Sequence, residues 1–89
     1  MRITFAVLAD LLKHGREIEC RYTGRDYSIT NSRHQWRFCC DIEGTTVTLC
    51  AFSEFETLVE KTGSLEIGGV SVEDIFNKQL GNLEVLGIL

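Results

Sequence analysis

The sequence of 89 residues contains no proline. This absence excludes proline-rich linkers and ligands, and because no serine-rich or glycine-rich tract is present either, nothing marks a domain boundary. Long apolar runs are also lacking, since the stretch from Phe5 to Leu12 is interrupted by Asp10. We therefore expect neither a signal peptide nor a membrane span. We predict a single domain over residues 1–89 that works in the cytoplasm without a membrane partner.

The spacing of a metal site is lacking as well, although the chain has four cysteines. Cys39 and Cys40 are adjacent, so a strand directs them to opposite faces, and no Cys-x-x-Cys pair occurs. His34 is too far along an extended strand from Cys40 to form a catalytic pair. The Gly68-Gly69 pair lacks the lysine and the further glycines of a phosphate loop. We therefore predict reduced thiols, no metal site, no cofactor and no catalytic residue.

The most informative pattern that is present is a β-hairpin over residues 34–53. A two-residue turn at Glu43 and Gly44 aligns most large apolar residues on one face. The expected pairs on that face are Ile42 with Thr45, Cys40 with Val47, Phe38 with Leu49, and Trp36 with Ala51. The other face is mostly polar, and we take it as the functional face if the hairpin has one. It carries Gln35, Arg37, Cys39, Asp41, Thr46, Thr48 and Cys50.

Three amphipathic segments with capping residues predict helices on either side of this hairpin. Thr4 is the expected N-cap of a helix over residues 5–14. Ser53 and Glu56 form a capping box at the start of the second helix. Ser71 is the expected N-cap of the third. The chain thus begins with one helix and has two short helices in its later part.

Alternation of apolar and polar residues predicts a strand over residues 17–23, and a second strand begins over residues 27–30. Together with the hairpin these strands form a meander. The apolar residues 82–89 are expected to form a strand that is covered on both faces or docked against a partner, which predicts self-association into a homodimer. The predicted fold class is α+β, with a small antiparallel meander sheet, an N-terminal helix and two short C-terminal helices.

Charge is distributed unevenly over a chain whose net charge is −4. Residues 1–37 carry seven basic and four acidic side chains, whereas residues 38–89 carry two basic and nine acidic ones. An acidic half can meet a basic protein surface, although charged residues also serve simply as solvated faces. We predict a protein partner with a basic surface. The residues expected to contact it are Glu54, Glu56, Glu60 and Glu73.

An alternative is a nucleic-acid-binding domain that uses the N-terminal half. Tyrosines and a tryptophan are interleaved there with arginines, a combination that can stack bases and hold phosphates. The residues concerned are Arg21, Arg25, Arg33 and Arg37. The acidic total disfavours binding to a phosphate backbone, and core aromatics with solvated arginines explain the same pattern.

Residues 67–76, with the sequence Ile-Gly-Gly-Val-Ser-Val-Glu-Asp-Ile-Phe, and the order of the predicted elements resemble small accessory proteins of Gram-positive phages and other mobile elements. Some of those proteins are similar to anti-CRISPR inhibitors, which act by occupying the binding surface of a partner. The resemblance implies an inhibitor of a host defence protein and identifies no functional residue. We therefore predict a non-enzymatic protein-protein interaction module. A thiol-dependent or metal-dependent enzyme is the third hypothesis.

Overall fold

A computed structural model describes residues 2–89. In chain order its elements are α1 (Phe5–Lys13), β1 (Ile18–Tyr22), β2 (Arg25–Ser32), β3 (Gln35–Cys40), β4 (Thr45–Ala51), α2 (Phe55–Ser64), β5 (Glu66–Ile67), β6 (Val70–Ser71), α3 (Val72–Lys78), a 3-10 turn (Leu80–Asn82) and β7 (Glu84–Ile88). Five strands form one antiparallel sheet in the order β4-β3-β2-β1-β7, and β5 pairs with β6 in a separate hairpin. The predicted α+β fold is confirmed.

The caps of the first and third helices form as the sequence predicts. The Thr4 hydroxyl accepts a hydrogen bond from the Val7 amide at 3.3 Å, and α1 ends one residue earlier than expected, at Lys13. The Ser71 hydroxyl accepts from the Asp74 amide at 3.1 Å. In both cases a side-chain oxygen satisfies a backbone donor that the first helical turn leaves unpaired.

The predicted capping box of the second helix is wrong. Glu54, not Ser53, occupies the N-cap position of α2, and its side chain makes no capping bond. Its carboxylate instead accepts a hydrogen bond from the Ala51 amide at 3.1 Å, at the end of β4. The Glu54 side chain thus bonds to the last residue of β4 and not to the first turn of α2.

The core lies between one face of the large sheet and the three helices. Its fully buried side chains come from both layers: Leu8, Leu12, Ile18, Trp36, Leu58, Thr62 and Ile75. The Trp36 indole N–H donates to the Phe52 carbonyl at 3.1 Å, and the two rings stack with centroids 5.5 Å apart. Burying an aromatic surface of about 150–250 Å² contributes roughly 4–6 kcal/mol before the entropy of ordering is subtracted.

The β3–β4 hairpin differs from the predicted register by two residues. Cys40 pairs with Thr45 rather than with Val47, so the connection comprises the four residues 41–44. A shift of two residues keeps every side chain on the same face, because the side-chain period of a strand is two. The expected apolar face is therefore retained near the turn, but Val47 is 48% exposed and Ile42 is 67% exposed. The predicted burial of these two residues is wrong.

A β-bulge changes the pairing towards the other end of the hairpin. The register shifts between Trp36 and Arg37, so Trp36 lies opposite Cys50 instead of Ala51. A bulge places two residues of one strand opposite one residue of its partner. Leu49 and Cys50 are consequently both buried, and Ala51 is exposed. Cys50 thus belongs to the core and not to the polar face that the alternation predicts.

Strand β7 closes the sheet on its other side, where it pairs with β1. Val85 is buried, whereas Leu86 and Leu89 are exposed. The strand is therefore an edge strand with one buried side, so coverage of residues 82–89 on both faces is wrong, whereas docking against a partner and a homodimer stay predictions. Beneath it, Gly81 lies against the ring of Tyr22, and the Thr23 amide donates to the Gly81 carbonyl at 2.9 Å.

Substitution of Gly81 by alanine is expected to destabilise the protein far more than the same change at Gly68. Both residues have a φ of 59°, but an added Cβ overlaps Tyr22 only at position 81, while nothing lies within 4 Å at position 68. We expect Gly68→Ala to cost about 1 kcal/mol for the left-handed backbone. Gly81→Ala should cost about 2–5 kcal/mol, because overpacking is added. Urea unfolding measures both values, and equal losses would contradict the packing role of Gly81.

Candidate functional site

The sheet face opposite the helices, here called the open face, carries small and polar side chains. The register places Glu19, Ser28, Cys39 and Thr46 in one row across four strands. The next row contains Thr30, Arg37 and Thr48. An antiparallel sheet with one covered face commonly leaves the other to solvent. The polar face predicted for the hairpin is found here, without Cys50.

Two arginines of the open face are held by neighbouring side chains. Arg21 forms a paired contact with Asp26, with nitrogen-oxygen distances of 2.7 and 3.4 Å. The hydrogen bond from Arg21 holds the pKa of the Asp26 carboxyl below its usual value. Arg37 donates to the Ser32 hydroxyl at 2.5 Å and to the Gln35 side-chain oxygen at 3.1 Å. Both guanidinium groups are therefore fixed within the sheet surface.

The four arginines of the nucleic-acid hypothesis are not brought into one patch. Arg21 and Arg37 lie on the open face, whereas Arg25 forms an ion pair with Glu43 at 2.7 Å. Arg33 is in the turn between β2 and β3, with a φ of 52°. The aromatic residues proposed for base stacking are buried: Tyr22, Tyr27 and Trp36. Nucleic-acid binding through these arginines stays a prediction.

A shallow groove runs between the large sheet and the β5–β6 hairpin. It consists of two adjoining cavities of about 410 and 270 Å³ that share Arg25, Tyr27, Ile67 and Gly68. The Tyr27 ring stacks on Phe38 with centroids 5.6 Å apart. Burial, followed by the nearby Cys40 thiol, raises the pKa of the Tyr27 phenol. The groove thus offers an apolar wall and a protonated hydroxyl.

The four cysteines are free thiols in different surroundings. Burial raises the pKa of Cys20 to about 12, with smaller contributions from Asp26 and Asp41. Burial also raises the pKa of Cys50, helped by Glu54. Cys39 is partly exposed on the open face, where its sulfur accepts a hydrogen bond from the Thr46 hydroxyl at 3.7 Å. Over residues 2–89, no cluster of three or more histidine, cysteine or carboxylate side chains is arranged to hold a metal ion.

The predicted acidic contact residues all lie in the helical layer and are exposed. Glu56 and Glu60 belong to α2, Glu73 belongs to α3, and these two helices pack against each other. Glu54 differs from the other three, because its carboxylate already binds the Ala51 amide. Glu54 is therefore a structural residue at the sheet edge, and the remaining three are available for a partner.

Residues 53–78, here called the acidic segment, account for the entire net charge. They contain six acidic and two basic side chains, a balance of −4 that equals the net charge of the whole chain. One basic residue, Lys61, donates to the Leu49 carbonyl at 2.9 Å. The other, Lys78, lies 3.8 Å from the Asp74 carboxylate. Glu56, Glu60 and Glu73 make no ion pair with residues 2–89.

Sequence reasoning missed the role of Lys61. Its ammonium group crosses from α2 to the backbone of β4, which fixes the helix beside the edge of the sheet. A lysine in an amphipathic helix gives no local signal of such a contact, because the register and the bulge of β4 decide where the Leu49 carbonyl points.

Comparisons of the chain with protein-family models, with curated proteins and with solved structures each find no match. Among the helices of residues 2–89, none has the length and apolarity to span a membrane.

Alkylation of the folded protein is expected to modify Cys39 alone. At about pH 8 a thiol reacts through its thiolate, so burial and a raised pKa protect Cys20 and Cys50, and burial protects Cys40. Mass spectrometry after iodoacetamide treatment should show one modified residue in the native state and four in denaturant. Cys39→Ser should remain unmodified when folded. Rapid modification of a second thiol in the native protein would contradict this expectation.

Proposed function

We propose that this chain is a non-enzymatic protein-protein interaction domain whose acidic segment binds a basic protein surface. The observation that carries the proposal is the location of the net charge. The acidic segment holds all of it, in one layer of the fold, on exposed or partly exposed side chains. The rest of the chain carries equal numbers of acidic and basic side chains.

Electrostatic complementarity supports the proposal. A surface of one sign steers an oppositely charged partner and selects against partners of the same sign. We expect Glu56 and Glu60 to contribute most to partner binding. They lie on successive turns of one helix, and both side chains are exposed to solvent. Neither lysine of the segment forms an ion pair with them, so their charge is available to a partner.

The mode of action within this proposal is inhibition by surface occlusion. The resemblance to accessory proteins of phages and mobile elements supports a host defence protein in the cytoplasm as the target. An occluding inhibitor needs a stable surface and no reaction of its own. The rigid sheet with a helical layer packed on it supplies such a surface.

Reversal of three charges in the acidic segment should weaken partner binding. The variant is Glu56→Lys, Glu60→Lys and Glu73→Lys, all at exposed positions. Each reversed contact should cost about 0.5–1 kcal/mol, so affinity should fall by about tenfold or more. The measurement is affinity capture from native extract, followed by identification and titration of the captured protein.

The matched control carries the same change of net charge outside the acidic segment. Asp10→Lys, Glu19→Lys and Asp41→Lys are exposed and should bind as the parent does. Raising the ionic strength from about 0.1 M to about 1 M shortens the Debye length from about 10 to 3 Å and should weaken the parent complex. Equal binding by both variants, or binding that is indifferent to salt, would overturn the proposal.

A further inference from the structure

One edge of the large sheet is formed by β4, and the orientation of its backbone groups follows from the neighbouring strand. The Asp41 amide donates to the Asp26 carbonyl at 3.0 Å, so residue 41 directs its backbone groups towards β2. Alternate residues of an antiparallel strand direct these groups to the same side. Phe38 and Cys40 therefore direct theirs to β4, where they pair with Val47 and Thr45.

The backbone groups of Thr46 and Thr48 consequently point away from the sheet. Val47 and Thr45 use theirs in the ladder with β3, and the two threonines alternate with them. Within residues 2–89, no side chain and no backbone group outside the sheet ladder bonds to the N–H or C=O of Thr46 or Thr48. Both residues are exposed. Residues 45–48, here called the free edge, thus present two unpaired donors and two unpaired acceptors.

The rest of the β4 edge is covered by α2. Lys61 donates to the Leu49 carbonyl at 2.9 Å, and the Glu54 carboxylate accepts from the Ala51 amide at 3.1 Å. The Glu54 amide also donates to the Ala51 carbonyl at 3.1 Å. The helix therefore lies directly beside the end of the free edge.

Within residues 45–48 the free edge has none of the features that protect edge strands, and the bulge of β4 lies just beyond it, opposite Trp36. Natural edges are commonly blocked by charged residues, by proline or by a bulge. The opposite edge, β7, has a register shift where it pairs with Glu19 and Cys20, and Arg16 donates to the carbonyls of Ile88 and Leu89. The free edge instead consists of Thr-Thr-Val-Thr, without charge or proline, and its Val47 side chain is 48% exposed.

We infer that the free edge binds an extended, basic segment of a partner protein, which adds to the sheet as a sixth strand. Strand addition takes its affinity from backbone hydrogen bonds and its specificity from alternate side chains. The inference rests on the proposed function and gives it a mode of binding. An added strand would lie next to α2, the helix that carries Glu56 and Glu60, so charge complementarity favours basic side chains in that strand.

A second copy of this chain fits the free edge less well. Antiparallel pairing of two β4 strands would bring a second α2 to the same side of the joined sheet. Each α2 carries Glu56 and Glu60 exposed, so the joined sheet would hold two acidic helices on one face, and their like charges would repel. A basic segment removes that repulsion.

The test uses a synthetic peptide of alternating valine and lysine, about six residues long, which matches a typical strand. NMR titration should shift the Thr46 and Thr48 amides and slow their hydrogen exchange. Thr48→Pro removes one outward donor without touching the ladder to β3 and should weaken binding by about fivefold or more. Thr48→Ala keeps the N–H and should bind as the parent does. Binding should also weaken with the triple reversal of Glu56, Glu60 and Glu73.

A second probe guards against a folding defect in Thr48→Pro. The same peptide methylated on alternate backbone nitrogens lacks donors and should fail to bind the unaltered protein. Shifts confined to the acidic segment, with the Thr46 and Thr48 amides unchanged, would overturn the inference and leave the proposed function standing. Absence of binding would overturn it as well. A dimer in light scattering that Thr48→Pro dissociates would show that a second copy is the occupant, and would also overturn it.

Discussion

Burial of Trp36 is the contact on which the arrangement of sheet and helices depends. The indole fills the space between β3 and the helical layer, stacks on Phe52 and donates its N–H to the Phe52 carbonyl. Phe52 in turn meets Phe55 edge to face, at the start of α2. One side chain therefore sets the angle at which the chain leaves the sheet and enters the helix. The bulge opposite Trp36 lets Leu49 and Cys50 both reach the core that surrounds it.

This arrangement places two surfaces next to each other. The helix that follows Phe52 carries the acidic side chains, and its Lys61 anchors it to the last part of β4. Contacts from α2 and its N-cap cover the β4 edge from Leu49 to Ala51, and the part of the edge before Leu49 stays free. Negative charge and unpaired backbone groups therefore lie close together at this boundary.

The sequence sufficed for the fold class because amphipathic periods and caps are local. Thr4 and Ser71 act within one helical turn, so their roles can be predicted from their neighbours. The hairpin register could not be predicted, because a slip of two residues leaves the same side chains on each face. The observed register is accompanied by a bulge opposite Trp36, which no local sequence pattern signals.

The candidate site was also predictable only in outline, because contacts between separate elements decide which charged side chains are paired. The excess of acidic residues after position 37 is visible in the sequence, and the structure adds that Glu56, Glu60 and Glu73 lie exposed on the packed helices α2 and α3. The dispersal of the arginines was not predictable. Arg25 meets Glu43 because β2 pairs with β3, which brings the start of β2 beside the connection that follows β3, and the register of that pairing could not be predicted. Glu54 appears equivalent to Glu56 in the sequence, yet the end of β4 recruits it.

The strand order also determines when the sheet is completed during synthesis. Strands β1 to β4 pair with their neighbours in sequence, so their hairpins can form as soon as they leave the ribosome. Strand β7 instead returns to β1, where Ile18 pairs with Ile88. Until that distant segment has been made, the nascent meander exposes its β1 edge as well as its β4 edge. The interval between these events is therefore the period in which the chain is most prone to pair with the wrong strand.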